Sequence, residues 1–378
     1  MRIFKIDGKQ VSEHAALAPM AAPGACDQGY LWLSLTRDEF RDSLAQVQQV
    51  LHTLCYSQLV DLHVSDLLND QLPSRYDYTS QYDLLVFRRL AASEEAPTHP
   101  VPAAARSGPP VLRRLDTRPV GFAVFDRVLL SVHPEDGAVR DAFASKLLAA
   151  ASSTDERGRP AQPAFDARAV STRLPASPAD LMLRVINQIV DAYLALRREL
   201  TRELDHWQAE LIDPHSRFTN WGALMDARQS LSRLDEICED QRACIQDWID
   251  SLETLPPAAG PADARERELV MVRSRDVLEH IERVVHHVRR LEQNAETAVQ
   301  MHFSVQGHRA NDIMRVLTVL TAVFLPLNLI AGIFGMNFEF IPLVHKADGF
   351  WIAMGSMGAI AIALTAIFWR KRYLARTR

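Results

Sequence analysis

VLTVLTAVFLPLNLIAGIFGMNF, the stretch at residues 316–338, decides the fold because it holds no ionisable side chain between Arg315 and Glu339. A second uncharged stretch, GFWIAMGSMGAIAIALTAIFW at residues 349–369, follows after a short loop. A helix needs about 20 apolar residues to cross the hydrocarbon core of a bilayer, and both stretches are long enough. The sequence therefore predicts a hairpin of two membrane-spanning helices behind a large polar body.

Basic residues flank this hairpin on the side of the chain termini. Arg309 and Arg315 precede the first span, whereas the connecting loop carries only Lys346. The basic residues after the second span are Arg370, Lys371, Arg372, Arg376 and Arg378. By the positive-inside rule, both termini face the cytoplasm and the loop faces outward. Residues 1–8 contain no apolar signal segment, so we expect a cytoplasmic body anchored in the cell (inner) membrane.

Composition argues against several classes of protein. The 378 residues carry a net charge of −5, which provides no basic field for a nucleic-acid partner. The four cysteines are scattered and form no CxxC pair, which argues against a disulfide framework or a zinc site. Because the sequence has no GxxxxGK[ST] motif and no catalytic constellation, an enzyme is the least expected class.

The first 176 residues predict a mixed α/β domain. Strand patterns occur at residues 30–35, 82–87, 121–125 and 128–133. A tight turn at Asp126-Arg127 joins the last two, and Thr36 and Glu39 have the spacing of a capping box before a helical pattern at residues 37–68. An Ala/Pro/Ser/Arg-rich segment at residues 91–119 predicts a disordered insertion, and residues 152–163 predict a second loop.

Residues 177–315 predict long helices. Ser177-Pro178-Ala179-Asp180 supplies an N-cap, a proline at the first helical position and an acidic first turn, with a break or kink expected near Asp213-Pro214. A second helical run starts near Ala262 and meets no proline until Pro326. It predicts one helix of about 70 residues, roughly 100 Å long, that runs directly into the membrane. Such a helix could transmit motion of the body to the span, and a coiled coil or scaffold is the alternative.

The first span carries a stripe of small and polar residues at steps of three and four. Its members are Asn311, Met314, Thr318, Thr321, Leu325, Asn328 and Gly332. The stripe predicts either a helix-packing seam or a pore lining, and spacing alone does not separate the two. As a pore lining it would present amide oxygens, which suit a hydrated hard cation such as Mg²⁺. The second span has Trp351 and Trp369 near its ends and is typical of a lipid-facing support.

Three motifs resemble the CorA family of divalent-cation transporters. They are Gly335-Met336-Asn337 at the close of an apolar helix, FLPLNLIAGIF at residues 324–334, and Arg275-Asp276-Val277 on the long helix. The resemblance covers residues 177–378, and the N-terminal part shares only the layout. It implies an α+β protein in which a cytoplasmic α/β domain precedes a long helical stalk that continues into the first of two C-terminal transmembrane helices. It also implies a homopentameric funnel.

The same resemblance implies roles for individual residues. Gly335, Met336 and Asn337 would form the ion-selectivity motif, with Asn337 as the selecting ring. The implied pore-lining residues are Asn311, Met314, Leu317, Leu325 and Asn328. Glu339 and Asp348 in the outer loop would give the mouth negative charge. The alternative for Gly335 is an ordinary helix C-cap in the left-handed conformation.

Asp276 matches a cytoplasmic metal-sensing position of the family, whereas a second acidic position of the family is Gln300 here. We therefore expect a regulatory Mg²⁺ site at Asp276, and the alternative is an acid on a solvated helix face. His280 and His287 share a face of the long helix and could bind zinc, although solvated histidines are the commoner case. Otherwise the resemblance implies Mg²⁺ as cargo, no resident cofactor, and partners limited to other copies of the chain, lipid and divalent cations.

Two rivals to an Mg²⁺ transporter stay open at this point. One is a Zn²⁺ transporter of the same superfamily, with or without proton coupling; the intact Met336 favours Mg²⁺, with Co²⁺ and Ni²⁺ as further candidates. The absence of carboxylates from both spans weakens the case for proton coupling. The other is a non-transporting scaffold that tethers a cytoplasmic domain to the membrane.

Overall fold

The computed structural model describes residues 1–7, 10–17, 29–91, 116–152, 174–212, 221–336 and 348–371. The strands are β1 (Arg2–Ile6), β2 (Val11–His14), β3 (Tyr30–Thr36), β4 (Arg75–Tyr78), β5 (Asp83–Leu90), β6 (Thr117–Val124) and β7 (Val128–His133). The helices are α1 (Arg37–Cys55), α2 (Asp61–Leu68), α3 (Ala138–Ser152), α4 (Pro178–Ile212), α5 (Trp221–Thr254), α6 (Pro261–Phe334) and α7 (Gly349–Arg370). The predicted α+β order is confirmed.

The strands form one mixed sheet in the order β2-β1-β3-β7-β6-β5-β4. All neighbours are antiparallel except β3 and β7, which pair in parallel with Trp32 opposite Leu129. The predicted hairpin between β6 and β7 is confirmed, and the Phe125 N–H donates to the Val128 carbonyl at 2.9 Å. Strands β1, β2 and β4 were not predicted, because they carry too few residues to show an alternation. Helix α3 was not predicted either.

Both faces of the sheet are covered. Successive residues of a strand point to opposite faces, so β3 contributes to two cores. Leu31, Leu33 and Leu35 belong to the same buried cluster as Phe40 of α1. Trp32 belongs to the other cluster, together with residues of α3, α4, α5 and α6. This second core joins the sheet to the first part of the long helices.

The predicted helix at residues 37–68 is wrong in one respect, since it is two helices. The capping box at Thr36 and Glu39 is confirmed, but α1 ends at Cys55 and Tyr56 adopts a left-handed conformation with φ 56°. The Tyr56 N–H donates to the His52 carbonyl at 3.1 Å, which closes the helix. A non-glycine residue in this region is rare, so the sequence carried no signal for the break.

The predicted insertion at residues 91–119 is shorter at its C-terminal end, because β6 already begins at Thr117. Pro119 lies opposite Arg88 of β5. Its missing N–H is tolerated because the pairing of β6 with β7 starts only at Gly121, so no β7 residue lies opposite Pro119. Residues 92–115 of the insertion, most of the loop predicted at residues 152–163, and the break predicted near residue 213 lie outside the described residues.

Helices α4 and α6 begin with the same local motif. Ala176-Ser177-Pro178-Ala179-Asp180 opens α4 and Ala259-Gly260-Pro261-Ala262-Asp263 opens α6. In each case the aspartate accepts a hydrogen bond from the alanine N–H four residues earlier, at 3.0 Å and 2.9 Å. Each aspartate also pairs with an arginine four residues later, Arg184 or Arg267. Proline at the first helical position and an acid in the first turn explain why the helices start here.

The chain divides into two compact units, one of Met1–Ala209 with Phe218–Ala295 and one of Glu210–Arg217 with Glu296–Arg378. Helix α6 has 74 residues and contributes to both units, as the proline-free run predicted. The described residues include two helices long and apolar enough to cross a membrane, α6 and α7, with a mean hydropathy of 2.2 and 1.9 in their most apolar windows. Only 6% and 0% of those windows are buried in the single chain, unlike the core helices of a soluble protein.

Candidate functional site

The stripe predicted as a pore lining lies along one exposed face of α6. Met314, Leu317 and Leu325 are 60%, 53% and 68% exposed, and Asn311 and Asn328 are exposed as well. The remaining members of the stripe, Thr318, Thr321 and Gly332, are exposed too. The second unit therefore leaves the whole stripe uncovered within a single chain.

A different stripe of α6 is covered. Val319 is buried, and the partly buried residues that follow it at steps of four, three, four and four are Val323, Pro326, Ile330 and Phe334. At 3.6 residues per turn, the centre of this stripe lies about 150° from the centre of the exposed one. Helix α7 has a matching set of partly buried residues at helical spacing, Ala353, Met357, Ile360, Leu364 and Phe368. The partly buried stripe and the exposed polar stripe are thus separate faces of α6.

Two threonines in the exposed stripe use their hydroxyl protons inside the helix. Thr318 donates from Oγ1 to the Met314 carbonyl at 2.7 Å, and Thr321 donates to the Leu317 carbonyl at 2.9 Å. With the proton committed, each hydroxyl oxygen presents only lone pairs outward. A face of this kind accepts hydrogen bonds from the water around a cation. Sequence reasoning placed both residues in the stripe but did not give the direction of their hydroxyls.

At the end of α6 the structure describes two residues of the selectivity motif. The Gly335 N–H donates to the Ala331 carbonyl at 2.9 Å, and the Met336 N–H donates to the Ile333 carbonyl at 3.3 Å. The left-handed cap considered for Gly335 is wrong, because the described glycines with positive φ are Gly29 and Gly137. A Cβ at position 335 would lie 3.1 Å from the Ala331 oxygen, which is a tight contact. A larger residue at position 335 would therefore crowd the Ala331 carbonyl, and glycine avoids this crowding at the helix end.

Of the three outer-loop residues singled out from the sequence, the structure describes Asp348. Asn337 and Glu339 lie outside the described residues. Asp348 is exposed at the start of α7, where its carbonyl accepts a hydrogen bond from the Ile352 N–H at 3.0 Å and its carboxylate makes no capping hydrogen bond. The Asp348 carboxylate therefore does not cap α7.

Asp276 lies on α6 within the first unit, and its side chain is 60% exposed. The Nε2 of His280 lies 3.9 Å from the Asp276 Oδ1. Asp276 lines a cavity whose other charged lining residues are Lys146, Arg184 and Arg273. Among the described residues there is no group of three His, Cys, Asp or Glu side chains that could hold a metal ion. One carboxylate does not satisfy the six oxygen ligands that Mg²⁺ takes, so a site here would need ligands from elsewhere.

The histidines considered for zinc are engaged with α4 instead. His280 Nδ1 lies 3.1 Å from the Asn187 Oδ1, and His287 Nε2 lies 2.9 Å from the Thr201 Oγ1. Burial lowers the pKa of His287, and Arg197 and Arg290 lower it further. Each ring thus bonds to a separate residue of α4, and the pair does not converge on one point.

Comparison with known proteins gives a consistent result. A family model described as CorA-like Mg²⁺ transporter protein matches residues 27–372. The cobalt/magnesium transport protein CorA of Thermotoga maritima is 25% identical over 200 residues, which is 51% of this chain and 52% of that protein. The aligned part of the chain thus spans about half the length of this curated relative.

Solved structures share the fold over nearly the whole chain. The complete structure of the CorA magnesium transporter from Methanocaldococcus jannaschii has a TM-score of 0.66 at 16% identity, covering 98% of both chains. The full-length CmaX protein has a TM-score of 0.59 at 17% identity, covering 98% of this chain and 97% of that one. At such low identity these likenesses establish the fold alone.

Proposed function

The chain belongs to the CorA-like Mg²⁺ transporter family, and from that premise we propose that it passes divalent cations, above all Mg²⁺, through a membrane into the cytoplasm. The driving force is the electrochemical gradient, because a divalent ion gains about 4.6 kcal/mol per 100 mV of inside-negative potential. Co²⁺ and Ni²⁺ are further candidate cargoes. No enzymatic step is part of the proposal.

The observation that carries this proposal is the uncovered stripe of α6. It keeps a row of amide and hydroxyl oxygens away from the packing seam, and it ends next to the Gly-Met-Asn motif. Both spans lack ionisable side chains, so cations would be held through their hydration shells rather than by fixed charge. A stripe that served only for packing within the chain would be covered in the single chain, as Val319 is.

We further propose that copies of the chain form a homopentamer with this stripe facing the axis. Asn311, Met314, Leu317, Leu325 and Asn328 would then line the pore, and Asn337 would form the selecting ring. Glu339 and Asp348 would concentrate cations at the outer mouth, and both termini would lie in the cytoplasm below the inner membrane. A regulatory Mg²⁺ site at Asp276 would need oxygen ligands from a neighbouring copy, because the other charged residues that line the same cavity are basic.

The test is ion entry into proteoliposomes that contain the purified chain under an inside-negative potential. We expect Mg²⁺ entry that is insensitive to a pH gradient and is lost in Asn337→Ala. The matched control is Asn294→Ala, an exposed asparagine of α6 outside the apolar stretch, which should transport normally. Zn²⁺ entry that follows a proton gradient would instead assign the chain to zinc transport. No flux of any ion from a folded oligomer would leave the scaffold as the correct function.

A further inference from the structure

The uncovered stripe of α6 continues before Asn311, into the part of the helix that precedes the apolar stretch. Going back from Asn311, exposed residues follow at steps of four, three, four and three, namely Gly307, Ser304, Gln300 and Thr297. Alternating steps of three and four average 3.5 residues, the spacing at which like helices pack along their length in a left-handed supercoil. This extension of the stripe lies wholly within the second unit.

The opposite face of the same segment is held by the end of α4. Ala298, Val299 and His302 are buried there, roughly opposite the stripe at 3.6 residues per turn. His302 Nδ1 is assigned as donating to the Leu211 carbonyl at 2.8 Å, and Gln306 Nε2 as donating to His302 Nε2 at 2.9 Å. Contacts within the chain therefore set the angle of α6 about its own axis and hold the stripe outward.

Two large apolar side chains flank the stripe on this segment. Met301 is 45% exposed and Phe303 is 60% exposed, although both precede Val316 by about 20 Å of helix and so lie outside the predicted span. On an ideal helix, Met301 lies about 80° to one side of the stripe and Phe303 about 80° to the other, at heights that differ by about 3 Å. The stripe thus has one apolar side chain on each of its two edges.

Rotational symmetry determines what such a pair of edges can meet. In a closed ring of parallel helices, each copy turns one edge toward the copy on its left and the other edge toward the copy on its right, at the same height. A partner of another kind would meet one edge and leave the other exposed, whereas a ring of copies covers both. The observations therefore favour further copies of this chain as the partner.

We propose that the Met301 side chain of each copy packs against the Phe303 ring of the next copy, on the cytoplasmic side of the membrane. A methionine sulfur against an aromatic ring is a favourable contact. The inference rests on the ring of copies in the proposed function, and it adds a contact outside the bilayer that keeps the stripe turned toward the axis.

A pair of cysteines tests the contact. Met301→Cys/Phe303→Cys is made in the chain whose Cys26 and Cys55 are replaced by serine and is oxidised with copper–phenanthroline. We expect a ladder of up to five chains, because each copy then links to both of its neighbours. Each single variant should give at least about tenfold less cross-linked product, because a residue on one edge does not meet the same residue of a neighbour.

The matched control is Ser304→Cys/Gln306→Cys. Both positions are exposed and two residues apart, but they do not lie on the two edges of the stripe, so no product larger than a dimer is expected. A ladder from the control that equals the one from Met301→Cys/Phe303→Cys would overturn the proposal. Single variants that cross-link as fully as the pair would overturn it too.

Opposite charges give a second test that needs no oxidation. Met301→Lys or Phe303→Asp alone should lower the assembled fraction in native mass spectrometry at least about threefold, since each buries an unpaired charge between copies. Met301→Lys/Phe303→Asp should restore assembly to within about twofold of the unmodified chain, because opposite charges then meet across the contact. The two positions lie about 160° apart on the helix, so the charges cannot pair within one chain. No loss in the single variants, or no recovery in the double variant, would overturn the proposal.

These measurements are independent of ion flux, so the two proposals can fail separately. A full ladder in a chain that passes no ion would support the contact and overturn transport. A pentamer without the ladder would overturn the contact alone. An unmodified chain that stays monomeric would overturn the contact together with the ring on which it rests.

Discussion

Thr321 shows how a span without ionisable side chains still presents a polar surface. Its hydroxyl proton is held by the Leu317 carbonyl, so the outward oxygen acts as an acceptor only. We predict that Thr321→Val, which keeps the shape and removes the acceptor, lowers Mg²⁺ flux by about fivefold, the worth of roughly one hydrogen bond. Thr365→Val on α7 is the matched control and should retain full flux in the same proteoliposome assay. Equal effects of the two variants would remove Thr321 from the pore lining.

His133 is a buried residue whose charge state is fixed by its surroundings. Ser131 Oγ donates to the Ser34 Oγ and accepts from the Trp32 indole, so His133 is assigned as donating from Nε2 to Ser131 at 2.9 Å. Burial, and to a lesser extent the neighbouring Arg140 and Arg89, lower the pKa of His133 to about 3. The ring is therefore neutral in the folded protein at neutral pH.

This lowered pKa predicts a pH dependence of stability. Between pH 6.5 and about 3 the unfolded chain binds the proton and the folded chain does not, so stability falls as pH falls through this window. The free energy of unfolding should drop by at most about 1.4 kcal/mol per pH unit on account of His133. Guanidinium denaturation followed by tryptophan fluorescence from pH 7 to pH 4 measures the slope. His133→Gln should flatten it, and an unchanged slope would contradict the assignment.

The residues of the candidate site were partly predictable from the sequence. Met314, Leu325 and Asn328 share a face by helical spacing alone, and the structure places them together on an exposed face. The cavity beside Asp276 was not predictable, because Lys146 and Arg273 belong to α3 and α6 and meet only in the folded chain. The hydroxyl direction of Thr321 depends on its rotamer, which no spacing encodes. The roles of Asn337 and Glu339 stay predictions.

At the scale of helices, α4 and α6 begin with the same Pro-Ala-Asp motif, so the same substitution can be compared at a buried and at an exposed aspartate. Asp180 is 1% exposed and holds two arginines, whereas the side chain of Asp263 is 41% exposed and holds one. We predict that Asp180→Asn lowers the free energy of unfolding by about 3 kcal/mol, because it removes the buried carboxylate that two partly buried guanidinium groups share.

Asp263→Asn makes the same chemical change where solvent screens it, so we expect a loss below about 1 kcal/mol. Guanidinium denaturation of both variants beside the unmodified chain gives the comparison. Similar losses for the two would mean that the helix-start motif, rather than the buried ion pair, carries the stability.

The same scale shows where helices and strands could be predicted. Proline, serine and aspartate fixed the start of α4, and the absence of proline predicted the length of α6. Two helices were predicted as one at Tyr56, because its left-handed backbone has no glycine to signal it. The parallel pairing of β3 with β7 joins segments far apart in the chain, and local patterns carry no such information.

For the whole molecule, the uncovered stripe of α6 predicts assembly. We expect native mass spectrometry of the detergent-solubilised chain to give five copies. We expect Met314→Cys to give disulfide-linked dimers, because one cysteine per chain forms one cross-link. Ile330→Cys, on the covered stripe, is the control and should give no cross-linked dimer. Cys26 and Cys55 would be replaced by serine, whereas Cys238 and Cys244 stay because both are buried and burial raises the pKa of Cys238 to about 12.

A yield of cross-linked dimer from Ile330→Cys that equals the yield from Met314→Cys would place the wrong face at the contact between copies. A mass corresponding to two or four chains would overturn the pentamer while leaving the membership of the family intact.

The separation of the two stripes on α6 also limits which insertions and deletions this helix can accept. One residue inserted between Leu320 and Thr321 would turn Leu325 and Asn328 by about 100° away from Met314 and break both faces at once. Seven inserted residues would restore the angle to within about 20°, but they would lengthen the helix by about 10 Å, a third of a bilayer core. Insertions and deletions in residues 311–334 should therefore be far less tolerated than substitutions that keep the chemical character of each position.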